Sequence, residues 1–397
     1  MAVSIQERGA DVADTAARDQ LVPITTYILK IASVCNLNCS YCFVYNKADT
    51  RWRLQPKLMS PDVLRRTVAR IVEHCKAHGK TAVNLIFHGG EPLIGGLKHL
   101  QRLVGAIESE FAGSDISFGL NMQSNGLLFT EAIGDFFLEK KITVGISIDG
   151  PPRVNDRFRV DHAGRGSSTR LEKKLHLLAS DKYRPLFAGF LVVVNPANDP
   201  IETIDYLMKF RPISFDFLLP YDNYDSKPPF KSDFESESYG DWLIRAFDYW
   251  YSNNLEVRIR NFYSIIRMLL GSGSAVESLG AGIVDFIVVE TNGDIEAVDS
   301  LKASFEGATG LGLDVFNNTF DDAARHAKVR ERQAGASALC AHCRQCAIVD
   351  ICGGGYLPNR YSRKNGFDNP SVYCRDLAKL IYHMHDRIAP AFAKSEA

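Results

Sequence analysis

The apolar and polar residues of this chain fall into blocks whose period switches several times. "TTYILKIASVC" (25–35) is a β-branched, partly alternating run, which predicts a strand delivering Cys35 at its C-terminal end. After a polar loop, "MSPDVLRRTVARIVEHCKAHGK" (59–80) takes up helical spacing. Ser60 is its N-cap, Pro61 its first helical residue and Gly79 its stop. "AVNLIFHGGEP" (82–92) predicts a buried strand ending in glycines, and "ISFGLNMQSNG" (116–126) another, closed by Asn125 and Gly126. Helix "EAIGDFFLEKK" leads to strand "ITVGISIDGPP", helix "STRLEKKLHLLAS" to strand "FAGFLVVVNP", and helix "IETIDYLMKF" to strand "SFDFLLP".

Strand and helix thus alternate about six times with short joints, the α/β pattern of parallel strands with outer helices. Each strand end carries a glycine or polar cluster, where an α/β barrel builds its active site. Beyond about Tyr224 the pattern gives way to a Pro/Ser/Asp-rich stretch and a long aromatic-rich helix near "YGDWLIRAFDYWYSNN" (239–254), whose rings are expected to pack the core. Arg258 and Arg260 are expected to alternate along a strand. "DFIVVETNGDIEAVD" (285–299) predicts a β pair turning at Asn292-Gly293.

Length and charge narrow the function classes. A chain of 397 residues suggests two or three domains. Lys plus Arg total 46 against 47 for Asp plus Glu, so no global basic field exists to attract nucleic acid. No run of about 18 apolar residues is present, which excludes a membrane helix. The opening "MAVSIQERGADVADTAARDQ" lacks a basic region followed by an apolar stretch, so it is no secretory signal and a cytoplasmic location is expected.

The nine cysteines are grouped rather than spread. Cys35, Cys39 and Cys42 form one cluster, Cys75 stands alone in a helix as a buried small hydrophobe, and Cys340, Cys343, Cys346, Cys352 and Cys374 crowd the end. Such clusters in a chain without a secretion signal read as metal sites. The spacing Cx3Cx2C on the loop after a first strand can wrap three irons of a 4Fe–4S cubane and leave the fourth open. Structural zinc, the alternative, wants four ligands.

With these residues the chain resembles the radical SAM enzymes, whose Cx3Cx2C motif carries an aromatic before its last cysteine, here Tyr41. The resemblance implies a partial (β/α)6 barrel over 23–235, with a 4Fe–4S cluster that binds S-adenosylmethionine; the polar, Ala/Asp-rich residues 1–22 before it read as a flexible arm. "GGEP" at Gly89–Pro92 matches the element that holds the amino group of that cofactor, through carbonyls of Gly89 and Gly90 and the carboxylate of Glu91. "QSNG" at Gln123–Gly126 and "SIDG" at Ser147–Gly150 match segments that contact ribose and carboxylate, which points to Ser124, Asn125 and Ser147. His88, just before the glycines, is read as a hydrogen-bonded structural histidine.

The tail "LCAHCRQCAIVDICGGGYLPNRYSRKNGFDNPSVYCRDL" looks like a SPASM extension over 331–397, reached through a bridging helix and β-hairpin region at 236–330. A full SPASM domain carries two auxiliary clusters. Here Tyr356 stands where one core cysteine belongs, and Val298 where another does. One auxiliary 4Fe–4S cluster is therefore expected, on Cys343, Cys346, Cys352 and Cys374. Cys340 is an extra able to substitute for one of them, His342 is read as a loop residue, and a zinc knot is the alternative.

The phrases "CGGGYLPNRYS", "FDFLLP" and "DRFRVDHAGRGS" further resemble peptide maturases that build three-residue cyclophanes. That resemblance implies hydrogen abstraction from a peptide Cβ–H, attack of the carbon radical on an aromatic ring, and loss of one electron and one proton. Asp216 and Asp299 are the candidate proton acceptors. A precursor peptide is the expected partner, with flavodoxin or ferredoxin as electron donor. The alternatives are a sulfatase-type maturase making formylglycine, a thioether-forming maturase, and a non-catalytic iron–sulfur or zinc scaffold.

Overall fold

The structure is a computed structural model that describes residues 21–253 and 255–393. The arm expected at 1–22 falls almost wholly outside the described residues. Six strands, β1 (Thr26–Ala32), β2 (Ala82–Gly89), β3 (Ser117–Ser124), β4 (Thr143–Ser147), β5 (Phe187–Val193) and β6 (Ser214–Leu218), lie side by side in chain order, each neighbouring pair parallel. The crossovers carry α1 (Pro61–Ala77), α2 (Gly96–Phe111), α3 (Glu131–Lys140), α4 (Pro152–Asn155) with α5 (Ser168–Leu178), and α6 (Pro200–Met208). These are the parallel strands with outer helices expected from the alternation, in the partial α/β barrel that the resemblance implies.

The local chemistry explains the elements. Ser60 Oγ caps α1 by accepting from the Val63 N–H at 3.2 Å, and Pro61 costs nothing where no N–H is needed. Leu64, Val68, Ile71 and Cys75 then recur on one face and are fully buried against the sheet. Cys75 is the buried hydrophobe its position predicts.

A helix α7 (Ser238–Ser252) follows the barrel and buries Trp242 and Phe247 as core residues. The arginine pair departs from expectation. Strand β7 spans only Arg258–Ile259, and Arg260 opens helix α8 (Arg260–Leu269). The cause is that the Asn261 N–H turns to the Asp216 carboxylate, at 3.1 Å, instead of continuing a ladder.

The hairpin at 285–299 joins the barrel sheet. Strand β8 (Phe286–Val289) runs parallel to β1, pairing Thr26 with Phe286 and Leu29 with Val289, while β9 (Asp294–Glu296) and β10 (Gly310–Asp314) continue antiparallel. One ten-stranded sheet, β10-β9-β8-β1-β2-β3-β4-β5-β6-β7, thus crosses the 235/236 boundary drawn from sequence. The physical reason is that a bare β1 edge would leave its backbone groups unpaired. The described residues close with a helix over Cys374–Ala393, which packs on α7. Among the described residues no helix is long and apolar enough to cross a membrane.

Candidate active site

The C-terminal ends of all six barrel strands open into one cavity of about 240 Å³. Its wall holds Cys35, Cys39 and Cys42 on the loop after β1, Gly89 and Gly90 after β2, Ser124 and Asn125 after β3, and Ser147 at the end of β4. The three thiols are free. Gly90 is needed for the close approach of two loops, since a Cβ there would sit 2.4 Å from the Val34 carbonyl oxygen. Cys35 Sγ accepts from the Leu37 N–H at 3.4 Å and lies 3.7 Å from Asn125 Nδ2. Burial, with Glu91 second, pushes the Cys35 thiol up to about 12, so this thiol needs a bound cation to become a thiolate.

Around the thiols runs a polar ring. Tyr41 donates to Asp149 at 2.6 Å and accepts from Arg159 Nη1 at 2.9 Å. Gln123 donates to Ser147 Oγ at 2.9 Å. Arg159 is buried, and its Nε finds no partner among the described residues. A buried guanidinium with one N–H unused, lining a cavity that three thiols also line, suits an anionic group. The donor set therefore fits a 4Fe–4S cluster together with a carboxylate-bearing cofactor.

Glu91 is placed differently from its expected role. It is fully buried, lies outside the cavity lining, and spends its carboxylate on Ser124 Oγ at 2.7 Å, the Asn125 N–H at 2.8 Å and the Leu93 N–H at 3.0 Å. The cause is local. The three donors of the β2 and β3 end loops converge on one buried acceptor, which clamps the loops that carry Gly90 and Asn125. Glu91→Gln should lower unfolding free energy by about 2 kcal/mol, one charge-assisted hydrogen bond lost, and weaken S-adenosylmethionine binding. Urea unfolding and a binding titration of the variant check both.

Asp299 also lines the cavity, but not as a free base. Lys30 Nζ, on β1, bonds to both Asp299 and His88 Nδ1, the latter at 2.9 Å. Although burial opposes it, the Lys30 charge holds Asp299 down at about 2. Burial and the same lysine hold His88 at about 4, so it is neutral and proton-accepting toward Lys30. His88 is thus both hydrogen-bonded, as expected, and a wall of the cavity.

Asp216 sits in a second cavity of about 200 Å³ that shares Leu191, Leu218, Leu219 and Tyr221 with the first. Burial raises its carboxyl to about 6 against the opposing pull of Arg260. A third, smaller space is walled by Cys343, Cys346, Cys352 and Cys374, and also by His342, whose Nε2 lies 4.0 Å from Cys374 Sγ. His342 is therefore a wall of the cysteine cage, not merely a loop residue. Cys340 is buried beside Cys343 but outside the cage lining. The Tyr356 hydroxyl lies 3.1 Å from Glu277 Oε2, to which it donates, and 2.7 Å from Ser300 Oγ, from which it accepts.

His74, His78 and Asp321 also cluster, but His74 Nε2 accepts the Ile24 N–H at 2.9 Å, which puts its proton on Nδ1, facing Asp321. That is a fold contact between α1 and its neighbours.

Residues 29–208 match the Radical SAM superfamily. The barrel has the radical SAM α/β fold. The chain is accordingly an enzyme that performs radical chemistry. It is 25% identical over 374 residues to a cysteine-type anaerobic sulfatase-maturating enzyme of Clostridium perfringens, covering 92% of this chain and 97% of that one. A serine-type counterpart from Bacteroides thetaiotaomicron is 25% identical over 390 residues, covering 93% and 90%. Among solved structures, native anSMEcpe with bound AdoMet and the Cp18Cys peptide superposes with a TM-score of 0.78 at 23% identity, covering 94% of this chain and 99% of that one. The radical SAM fold therefore extends to an architecture shared over nearly the whole chain.

Three residues of the site escaped sequence reasoning: Lys30, Asp149 and Arg159. Lys30 had a signal, a lone charge inside an apolar strand that must find a partner. Arg159 lay inside a quoted motif, yet nothing local marked it as buried.

Proposed function

We propose that this radical SAM enzyme is a peptide maturase that oxidises one substrate side chain at its β-carbon by two electrons. The observation that carries the reading is the paired cavity. A thiol-lined chamber at the strand ends lies against a second chamber with its own carboxylate, the two sharing Leu191, Leu218, Leu219 and Tyr221 in their walls. A small substrate would need only the first. Relatives that match almost end to end are named for maturing sulfatases, and a structural neighbour holds a peptide.

Cys35, Cys39 and Cys42 would hold the 4Fe–4S cluster, with Tyr41, Gly89, Gly90, Ser124, Asn125, Ser147 and Arg159 around S-adenosylmethionine. Cys343, Cys346, Cys352 and Cys374 would hold one auxiliary cluster. The bound cofactors supply abstraction of one hydrogen atom and acceptance of one electron. The chain must hold the peptide, exclude water and take the remaining proton. Asp216, ionised just above pH 6, suits that last task better than Asp299, whose charge Lys30 already satisfies.

Two products satisfy this electron count. Oxidation of a Cys or Ser to formylglycine is the outcome the relatives' names favour. A carbon–carbon cyclophane is favoured by one feature of this chain, Tyr356 and Val298 at positions that would ligate a second auxiliary cluster. Mass spectrometry of a candidate precursor peptide co-expressed with the enzyme separates them. Both outcomes lose hydrogen, but only formylglycine reacts with a hydrazide, and only the crosslink blocks fragmentation between an aromatic residue and one two positions on. An unchanged peptide beside S-adenosylmethionine cleavage would sink this substrate assignment.

A further inference from the structure

The second cavity has a chemistry of its own. Leu243 on α7, Ile265 on α8, and Leu377 and Leu380 on the C-terminal helix give it an aliphatic side, while Glu277, Ser278, Tyr356 and Asn359 make another side polar. Its volume, about 200 Å³, exceeds the roughly 150 Å³ of an aliphatic cavity that takes one benzene ring. Into it faces Asp216, only 5% exposed. One carboxylate oxygen accepts the Asn261 N–H at 3.1 Å. The other has Arg260 Nε as its ion-pair neighbour at 3.8 Å, beyond hydrogen-bond reach. That oxygen opens on the cavity, where an O–H or N–H of a bound group can donate to it.

The neighbouring charges select the donor. Arg260 stands 3.8 Å from one Asp216 oxygen, so a cationic group seated here would meet that guanidinium's repulsion. A neutral O–H or N–H on a flat apolar body completes the set. An aliphatic hydroxyl is too small to fill the walls, and a phenyl ring fills them but brings no donor.

We propose that this cavity is a recognition subsite for a tyrosine or tryptophan side chain of the peptide substrate, with its hydroxyl or indole N–H donated to Asp216. The inference rests on the peptide-maturase reading and adds to it the identity of a neighbouring residue. The two cavities share Leu191, Leu218, Leu219 and Tyr221, so a side chain seated here lies beside the chamber where the β-carbon would be oxidised. Phenylalanine is disfavoured by the carboxylate it would bury without a donor.

The test uses N-acetyl-L-tyrosinamide and N-acetyl-L-phenylalaninamide as probes against the reconstituted holoenzyme, titrated anaerobically by saturation-transfer NMR. The tyrosine probe should saturate and bind about ten- to hundredfold more tightly than the phenylalanine probe, the usual range for a hydrogen bond to a charged group. Asp216→Asn should shrink that ratio toward one. Leu243→Phe, which grows a ring into the cavity from α7, should abolish saturable binding. Leu377→Phe repeats the test from the opposite wall should the first variant misfold, as its iron content would reveal. Equal affinity for the two probes, absence of saturation, or full binding by both filled variants would overturn the subsite. None of these outcomes touches the maturase reading, which is decided separately by the mass of the co-expressed peptide.

Discussion

Asp376→Asn should destabilise the fold by about 3–5 kcal/mol, the usual cost of removing one partner from a buried ion pair. Asp376 Oδ2 lies 2.5 Å from Lys231 Nζ, and neither side chain has any exposed surface. Its Oδ1 accepts the N–H groups of Tyr239 and Gly240, at 2.9 and 2.8 Å, in the first turn of α7. One carboxylate therefore neutralises a buried ammonium and caps a helix at the same time. An amide of the same shape keeps one acceptor oxygen and must abandon one of the two tasks. Relaxation is blocked on the α7 side, where even a Cβ on Gly240 would lie 3.0 Å from the Asp376 backbone. The loss has a readout beyond the unfolding midpoint in urea. Cys374 stands two residues earlier, at the head of the same helix, so iron retention in the C-terminal cage should fall with it. Replacing both partners by apolar residues should restore part of the stability, because no charge is then left unmatched. A single Asn variant as stable as the parent would show that the interior solvates Lys231 by another route.

The sequence made the barrel legible because its signals are local. Each strand announced itself by a short β-branched run, each crossover helix by a cap and a stripe, and Cys35, Cys39 and Cys42 by spacing alone. What stayed hidden was non-local. Lys30 meets Asp299 across 269 positions of chain, and no periodicity links them. The pairing of β8 with β1 was invisible for the same reason, since a strand's partner is chosen by register and edge exposure. Glu91 shows a subtler limit. The residue type and its place at a strand end were readable, but the direction of its carboxylate depends on where Ser124 and Asn125 arrive from the next strand. The C-terminal helix was obscured by the cysteines and glycines that precede it. Proton affinity is least readable of all. Asp216 and Asp299 were equivalent candidates in sequence, and only the presence of Lys30 beside one and its absence from the other sets them apart.

Asp216→Asn should lower product formation by about 10²- to 10⁴-fold, the range for a lost general base, while S-adenosylmethionine is still cleaved. The same substitution should stabilise the protein above pH 6. Both signs follow from one fact, that burial raises the Asp216 carboxyl from 3.8 to about 6. A carboxyl whose folded value lies above its unfolded value binds its proton more tightly in the folded state. Its favourable contribution is present at low pH and is lost as pH rises from about 4 through 6. Above that window the buried charge costs up to about 3 kcal/mol, because each pH unit separating the folded and unfolded values is worth about 1.4 kcal/mol. An uncharged amide, still able to accept the Asn261 N–H, escapes that cost. The parent's product-forming rate should rise through pH 6 and then level off, and this break should vanish in the variant. Asp299→Asn behaves differently. It strands the Lys30 ammonium, which is 2% exposed, so it should destabilise the fold at neutral pH, and any fall in activity should carry no break near pH 6. Unfolding curves and single-turnover product assays at pH 5, 6, 7 and 8 distinguish the two carboxylates. A purely structural Asp216 would lose stability on becoming Asn and leave the pH profile where it was. A gain in stability paired with a loss of product is the signature of a carboxylate kept buried, at a cost to the fold, for the proton it accepts.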